Sequence, residues 1–183
     1  IDVTPVNDAP DGANITLSTL EDTALTFSAA NFGFTDANDT PANALQSVVI
    51  TTLPGAGSLT LNGVAVTTGQ EVTAADITGG LLRFTPAANA NGAGYAAFTF
   101  QVRDNGGTAN GGVDLDPVAN TMTIDVVSVN DAPDGTNTTV STNEDTQYTF
   151  TTANFGFTDA NDTPANALQS VIINTLPLAG SLT

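Results

Sequence analysis

Short runs that alternate apolar and polar residues, separated by turn-forming residues, occupy most of the chain. A two-residue period of this kind is typical of half-buried strands, and a helical period is nearly absent. In one run, Asn62-Gly63 supplies the two positive-φ residues that a type I′ hairpin turn requires. Residues 74–77 predict a single helical turn. The strands are predicted around residues 15–17, 25–27, 48–50, 59–61, 64–66, 82–84, 98–102 and 122–126.

About seven or eight strands of this length in one unit predict an all-β fold, an antiparallel β-sandwich of two sheets. The pattern also repeats: residues 1–60 align with 124–183 at 13 differences and without insertion, a period of 123 residues, and residues 31–48 return unchanged as 154–171. A unit of this size is large enough to bury its own core, so the repeats are expected to be whole domains in tandem.

The motif Val-Asn-Asp-Ala-Pro marks each boundary between repeats. We therefore expect residues 1–7 to end a preceding linker, 8–130 to form a complete repeat, and 131–183 to form the N-terminal part of a second one. Residues 61–183 also span one period, so a unit with permuted boundaries is an alternative to this division. Half a sandwich exposes apolar faces and strand edges, so residues 131–183 are expected to pair with other copies of the chain.

The charge of the chain restricts its partners. The net charge is −17, from 19 acidic residues against two arginines, with no lysine, histidine or cysteine. Such a chain repels nucleic acid and anionic lipid, so neither nucleic-acid binding nor direct membrane insertion is expected, and cations are its natural partners. Because it lacks a leader and a long apolar run, we expect an internal segment of a longer protein.

Catalysis is not expected from this composition. Without histidine and cysteine, the Ser-His-Asp and Cys-His arrangements and a His-ligated zinc site are excluded. Paired carboxylates can hydrolyse glycosides, but the chain has no tryptophan and only two tyrosines on which a sugar ring could stack. The sequence therefore predicts a protein that is not an enzyme.

Several motifs, in their order and spacing, resemble a known family. They are Asn7-Asp8-Ala9-Pro10, Glu21-Asp22-Thr23, and the segments FTDAND at 34–39, FTP at 84–86 and FTFQVRD at 98–104. Together they are similar to the bacterial cadherin-like repeats of large RTX-type and biofilm-associated adhesins. The resemblance implies an Ig-like, cadherin-like sandwich in tandem, an extracellular location on the bacterial surface, and neighbouring repeats of the same polypeptide as partners. Its implied function is that of a non-catalytic extender.

The resemblance also implies Ca²⁺ at the junctions between repeats. Calcium takes about 6–8 oxygen ligands from carboxylates, amides and carbonyls, and clustered carboxylates repel each other until a cation neutralises them. The sequence departs from the family at Pro5 and Ser128, where cadherins carry aspartate. The resemblance groups the ligands of one junction as Asn130 and Asp131 of the linker, Glu21 and Asp22 of the preceding repeat, Asp159, Asn161 and Asp162 of the following repeat, and Asp104 as a further member. The corresponding residues of the first linker and repeat are Asn7, Asp8, Asp36, Asn38 and Asp39.

Other interpretations of the same residues remain open. Asp36 and Asp39 also suit turns, because their side chains bond to nearby backbone, and Glu21-Asp22 also suits a solvated strand end. The Gly- and Asn-rich loop 104–120 is long enough to bear a ligand, so a module that recognises a glycan or a protein is an alternative. Its acids Asp114 and Asp116 are expected to be solvated. A subunit of a self-assembling extracellular filament is the other alternative.

Overall fold

The computed structural model describes residues 1–183, and they divide into two compact units, Ile1–Ser128 and Val129–Thr183. Strands dominate and helices are few, so the predicted all-β class is confirmed. None of the helices has the length and apolar character needed to cross a bilayer.

The first unit contains every strand. The strands are β1 (Ile15–Leu20), β2 (Leu25–Thr26), β3 (Leu45–Ile50), β4 (Ser58–Leu61), β5 (Val64–Ala65), β6 (Glu71–Thr73), β7 (Leu82–Thr85), β8 (Gly92–Asp104) and β9 (Asn120–Val127). The helices of this unit are α1 (Ala74–Thr78) and two 3₁₀ turns, Ala29–Phe32 and Ala109–Gly111. Every predicted strand forms. The strand that was not predicted is β6, whose three residues contain one buried apolar side chain, Val72, and so carry no visible period.

The strands form two sheets, and buried side chains of both belong to one hydrophobic core. One sheet has the strand order β1-β9-β8-β3-β6 and the other β2-β7-β4-β5. Each fully buried aliphatic or aromatic side chain contributes about 1.5–3 kcal/mol to stability. The ring of Phe32 packs edge-on against that of Phe100 at 4.9 Å, which ties the first 3₁₀ turn to β8. Fully buried core residues include Val48, Ile50, Leu82, Phe84, Phe100, Val102 and Ile124.

Two local predictions are confirmed. Asn62 and Gly63 have φ values of 50° and 79° and connect β4 to β5 as a tight hairpin. The helical turn forms as α1, because the Thr73 hydroxyl accepts a hydrogen bond from the Asp76 amide at 3.0 Å and Ile77 is buried in the core.

The first and last strands run parallel, in register from Ile15 beside Met122 to Leu20 beside Val127. This pair is an exception to the predicted antiparallel arrangement, which all the other strand pairs follow. No hairpin joins β1 to β9, so no turn geometry imposes opposite directions on them. As a consequence the chain enters the unit at one end and leaves it at the other. We call the end where β1 and β9 begin the linker end, and the opposite one the far end.

The second unit has little regular structure: a 3₁₀ turn, Thr152–Phe155, and an isolated bridge between Asp134 and Thr158. Val171 and Ile173, the counterparts of buried Val48 and Ile50, are 41% and 51% exposed. In the first unit these positions pair with β8. Pairing of residues 131–183 with other copies of the chain stays a prediction.

Candidate metal site at the linker end

The Asn7 side chain joins three parts of the first unit at its linker end. Its Nδ2 donates to Asp104 Oδ1, where β8 ends, at 3.0 Å, and to the Val113 carbonyl in the loop that follows, at 2.7 Å. Its Oδ1 accepts a hydrogen bond from Asn43 Nδ2, just before β3, at 2.6 Å. The linker motif is therefore docked on the repeat that follows it.

Three carboxylates surround this docking point. Asp36 accepts a hydrogen bond from the Asn43 amide, Asp39 Oδ2 accepts one from the Asp8 amide at 3.0 Å, and Asp104 Oδ1 accepts one from the Gly106 amide at 2.8 Å. Five of the residues predicted as ligands thus lie together at the linker end: Asn7, Asp8, Asp36, Asp39 and Asp104. Asn43 was not predicted, although its amide flanks the Asp-rich turn seven residues after Asp36.

One oxygen of Asp36 has no partner. The residue is 7% exposed, and its Oδ1 is buried without a hydrogen bond. A buried acceptor left unsatisfied costs about 1–3 kcal/mol, and more when it is charged. A bound ion or a water molecule is one of the explanations for such an atom in a native protein. One oxygen of the Asp36 carboxylate therefore accepts a backbone hydrogen bond within the turn, and the other is available to a cation.

The second unit repeats this local arrangement. The Asp131 amide donates to Asp162 Oδ1 at 3.1 Å, and Asn166 donates its amide to Asp159 Oδ2 at 2.5 Å and its Nδ2 to Asn130 Oδ1 at 2.8 Å. Asp159, like its counterpart, is 7% exposed and has a buried Oδ1 without a hydrogen bond. The same linker motif and the same 18-residue segment thus produce the same orphaned oxygen twice.

Electrostatics at the linker end favour a cation. Burial raises the pKa of Asp104, and the nearby charges of Asp36 and Asp114 raise it further, against hydrogen bonds from Gly106 and Asn7 that lower it. The ionised form of this carboxyl group is therefore held in an unfavourable environment. A divalent cation would reverse this balance, because it stabilises the charged form of the carboxylates it contacts.

Glu21 and Asp22 lie at the far end, where the Glu21 amide bonds to the Val127 carbonyl at 2.9 Å. Glu21 is 3% exposed and accepts a hydrogen bond from Asn91 Nδ2 at 3.0 Å, so the solvated interpretation is wrong for it. Asp22 is exposed, as that interpretation predicts, and its Oδ1 accepts a hydrogen bond from the Asn89 amide at 3.0 Å.

Asp104 was grouped in the prediction with Glu21 and Asp22, and within the first unit this grouping is wrong. The 13 residues of β8 separate Gly92, at the far end, from Asp104, at the linker end. An extended strand of this length spans on the order of 40 Å. The two sets of acids in this unit therefore cannot share one ion.

The carboxylates do not form a cage by themselves. No three acidic side chains come close enough together to hold a metal ion between them. Asn38 and Asn161 point to solvent at exposed turn positions. A cation at the linker end would therefore need amide and carbonyl oxygens beside carboxylates, a mixture that suits Ca²⁺. A half-turn of the Asn43 amide would present its oxygen in place of its nitrogen.

The acids of the loop 104–120 are not solvated, so that prediction is wrong. Asp116 is 2% exposed and accepts hydrogen bonds from the Gly12 amide at 2.9 Å, Asn120 Nδ2 at 2.8 Å and the Val118 amide at 2.8 Å. Asp114 forms an ion pair with Arg103 at 2.6 Å. Asp114 holds the loop to β8 through Arg103, and Asp116 joins the loop to Gly12 and to the start of β9 at Asn120. Both acids therefore have the partners that a structural role requires.

Comparison with known proteins gives no relative: no protein-family model, no curated protein and no solved structure matches the chain.

Proposed function

We propose that this chain is a non-catalytic extender segment of a bacterial surface adhesin, exported from the cell, whose Ig-like, cadherin-like repeats bind Ca²⁺ through the linker that precedes each of them. The observation that carries the proposal is the buried, unpartnered Oδ1 of Asp36, which recurs at Asp159. Both oxygens lie beside a docked Asn-Asp linker.

The ligands in the first unit would combine Asp36 and at most one further carboxylate, Asp39 or Asp104, with the amide oxygens of Asn7 and Asn43. Calcium tolerates an irregular set of oxygens better than Mg²⁺, which demands a near-ideal octahedron. With a dissociation constant of about 0.1 mM and about 10 mM calcium, occupancy would stabilise the site by about 2.7 kcal/mol. This is a large fraction of the stability of a typical domain.

The extender role is supported by the direction of the terminal strands. Because β1 and β9 are parallel, a force along the polypeptide passes through the whole length of the first unit. The near-identity of the repeats also favours a spacer, which needs length and stiffness in every copy and a distinctive recognition surface in none. Neighbouring repeats of the same polypeptide are its principal partners.

Calcium titration by calorimetry, with thermal melts in EDTA alongside, tests the metal site. We expect binding heat with Ca²⁺, a much weaker response to Mg²⁺, and a rise in melting temperature on adding calcium. Replacing both Asp36 and Asp159 with asparagine should abolish these effects. Asp125→Asn is the control for each of the two replacements taken singly, because it removes one charge on β9, where the carboxylate accepts a hydrogen bond from the Gly94 amide. A wild-type chain with no heat and no shift would overturn the metal site.

The extender role is tested separately by a glycan array and a protein-binding screen with the intact chain in calcium. An extender should bind nothing with specificity. Specific binding that is lost on mutating exposed residues of the loop 104–120 would overturn this role in favour of recognition.

A further inference from the structure

We propose that Gly106 is a positioning residue of the calcium site: its missing side chain leaves a notch that receives Asn7, so the linker must be seated before the site is complete. This inference rests on the proposed function. It adds that calcium binding depends on the docking of the linker, and that Gly106 is the residue that allows this docking.

The space at Gly106 is filled by the linker. A Cβ atom at this position would overlap Oδ1 and Cγ of Asn7, and it would lie 2.7 Å from Asn43 Nδ2. Gly112 also lies close to this side chain, since a Cβ there would approach the Asn7 Cβ to 3.1 Å. Two glycines of the same loop therefore border the Asn7 side chain.

Backbone conformation does not explain the glycine at position 106. Its φ lies outside the left-handed region that favours glycine, whereas that of its neighbour Gly107 is 79°. A Cβ at Gly107 would meet nothing within 4 Å. Gly107 thus serves the turn, and Gly106 serves the close approach of Asn7.

Seating the linker forms hydrogen bonds between Asn7 and three residues, Asn43, Asp104 and Val113. The Asn7 Nδ2 donates to Asp104 and to the Val113 carbonyl, and the Asn7 main-chain carbonyl accepts a hydrogen bond from the Val113 amide at 2.9 Å. A side chain at Gly106 would remove Asn7 from Asp104, a proposed ligand that Asn7 orients. Gly106 acts on the site without touching the metal, and mutating positioning residues of this kind typically changes metal affinity by about 10–100-fold. Coupling is reciprocal, so calcium should in turn favour the seated linker.

The test is Gly106→Ala in the full chain. In EDTA, the Val113 amide should lose its protection from hydrogen exchange, because its acceptor on Asn7 is displaced. In calcium, the affinity of the first unit should fall at least about tenfold, while that of the second unit, which has its own linker, stays unchanged. Gly55→Ala is the matched control, because a Cβ at Gly55 would meet nothing within 4 Å and the counterpart residue in the second unit is Leu178.

A double-mutant cycle with Asn7→Ala separates the notch from a general role of Gly106 in folding. If the notch exists to receive Asn7, Gly106→Ala should have little further effect on calcium affinity once Asn7 has been truncated. Independent, additive losses would overturn the proposal, as would retained protection of Val113 or an unchanged affinity in Gly106→Ala. A wild-type chain that takes up no calcium would instead overturn the proposed function, whatever happens at Val113.

Discussion

Asn7 donates from one side-chain amide to both carboxylate oxygens of Asp104, at 3.0 and 3.3 Å, across 97 residues of sequence. This contact connects the linker to the last residue of β8. The buried carboxyl group of Asp104, whose charge is unfavourable in its surroundings, therefore lies where the repeat begins. The pH response of the chain follows from this placement.

The pKa of Asp104 is raised above its ordinary value of 3.8, chiefly by burial. In the folded state this group therefore binds its proton more tightly than in the unfolded state. Its contribution to stability is most favourable below 3.8 and is lost as the pH rises through the raised pKa. In EDTA, the melting temperature of the wild type relative to Asp104→Asn should fall as the pH rises through this window.

Calcium should remove this trend, because the ion stabilises the charged form that burial disfavours. Melts of both chains from pH 3.5 to 7, with EDTA and with calcium, check the prediction. A difference between wild type and variant that does not change with pH in EDTA would contradict it.

The two proposed sites should be lost independently. Each depends on a linker and an Asp-rich turn within its own unit, so Asp36→Asn should remove one binding event and Asp159→Asn the other. Calorimetry should show two calcium sites in the wild type and one in each variant. Loss of both sites from a single substitution would mean that the sites depend on each other.

Replacing Asp116 should destabilise the fold to the same extent with and without calcium. Its carboxylate accepts three hydrogen bonds, and asparagine would place an NH₂ group against at least one of the donors. Asp116→Asn should therefore lower the free energy of unfolding by about 2–4 kcal/mol, by the same amount in EDTA and in calcium. Denaturant melts measure this, and a loss seen only with calcium would place Asp116 in the metal site instead.

The sequence predicted what depends on neighbouring residues. Alternation located the strands, Asn62-Gly63 located a hairpin, and the resemblance of the linker and turn motifs to a known family indicated the acids of the linker end. It did not predict the burial of Asp116, because the Gly12 amide that it binds lies 104 positions away. The role of Gly106 was not predictable for the same reason, because Asn7 is distant in the sequence. From the sequence alone, Gly106 beside Gly107 resembles an ordinary turn.

The parallel pairing of β1 with β9 predicts a mechanical response. Pulling on the two ends of the first unit slides these strands past each other, so the ladder from Ile15 to Leu20 is loaded in shear and its hydrogen bonds resist together. Pulling from two points at the linker end would instead open the same ladder one bond at a time. Because the chain has no cysteine, engineered cysteines give unique attachment points.

Handles at Asp2→Cys and Ser128→Cys load the ladder in shear, whereas handles at Ala13→Cys and Ala119→Cys open it from the linker end. We expect the unfolding force to be at least about twofold higher for the first pair, because forced unfolding is governed by the barrier along the pulled direction. Single-molecule pulling in EDTA isolates the strand ladder, and repeating it in calcium adds the seated linker to the load path of the first pair only. Equal forces for the two geometries would mean that β1 and β9 do not carry the load, and the extender role would lose its mechanical support.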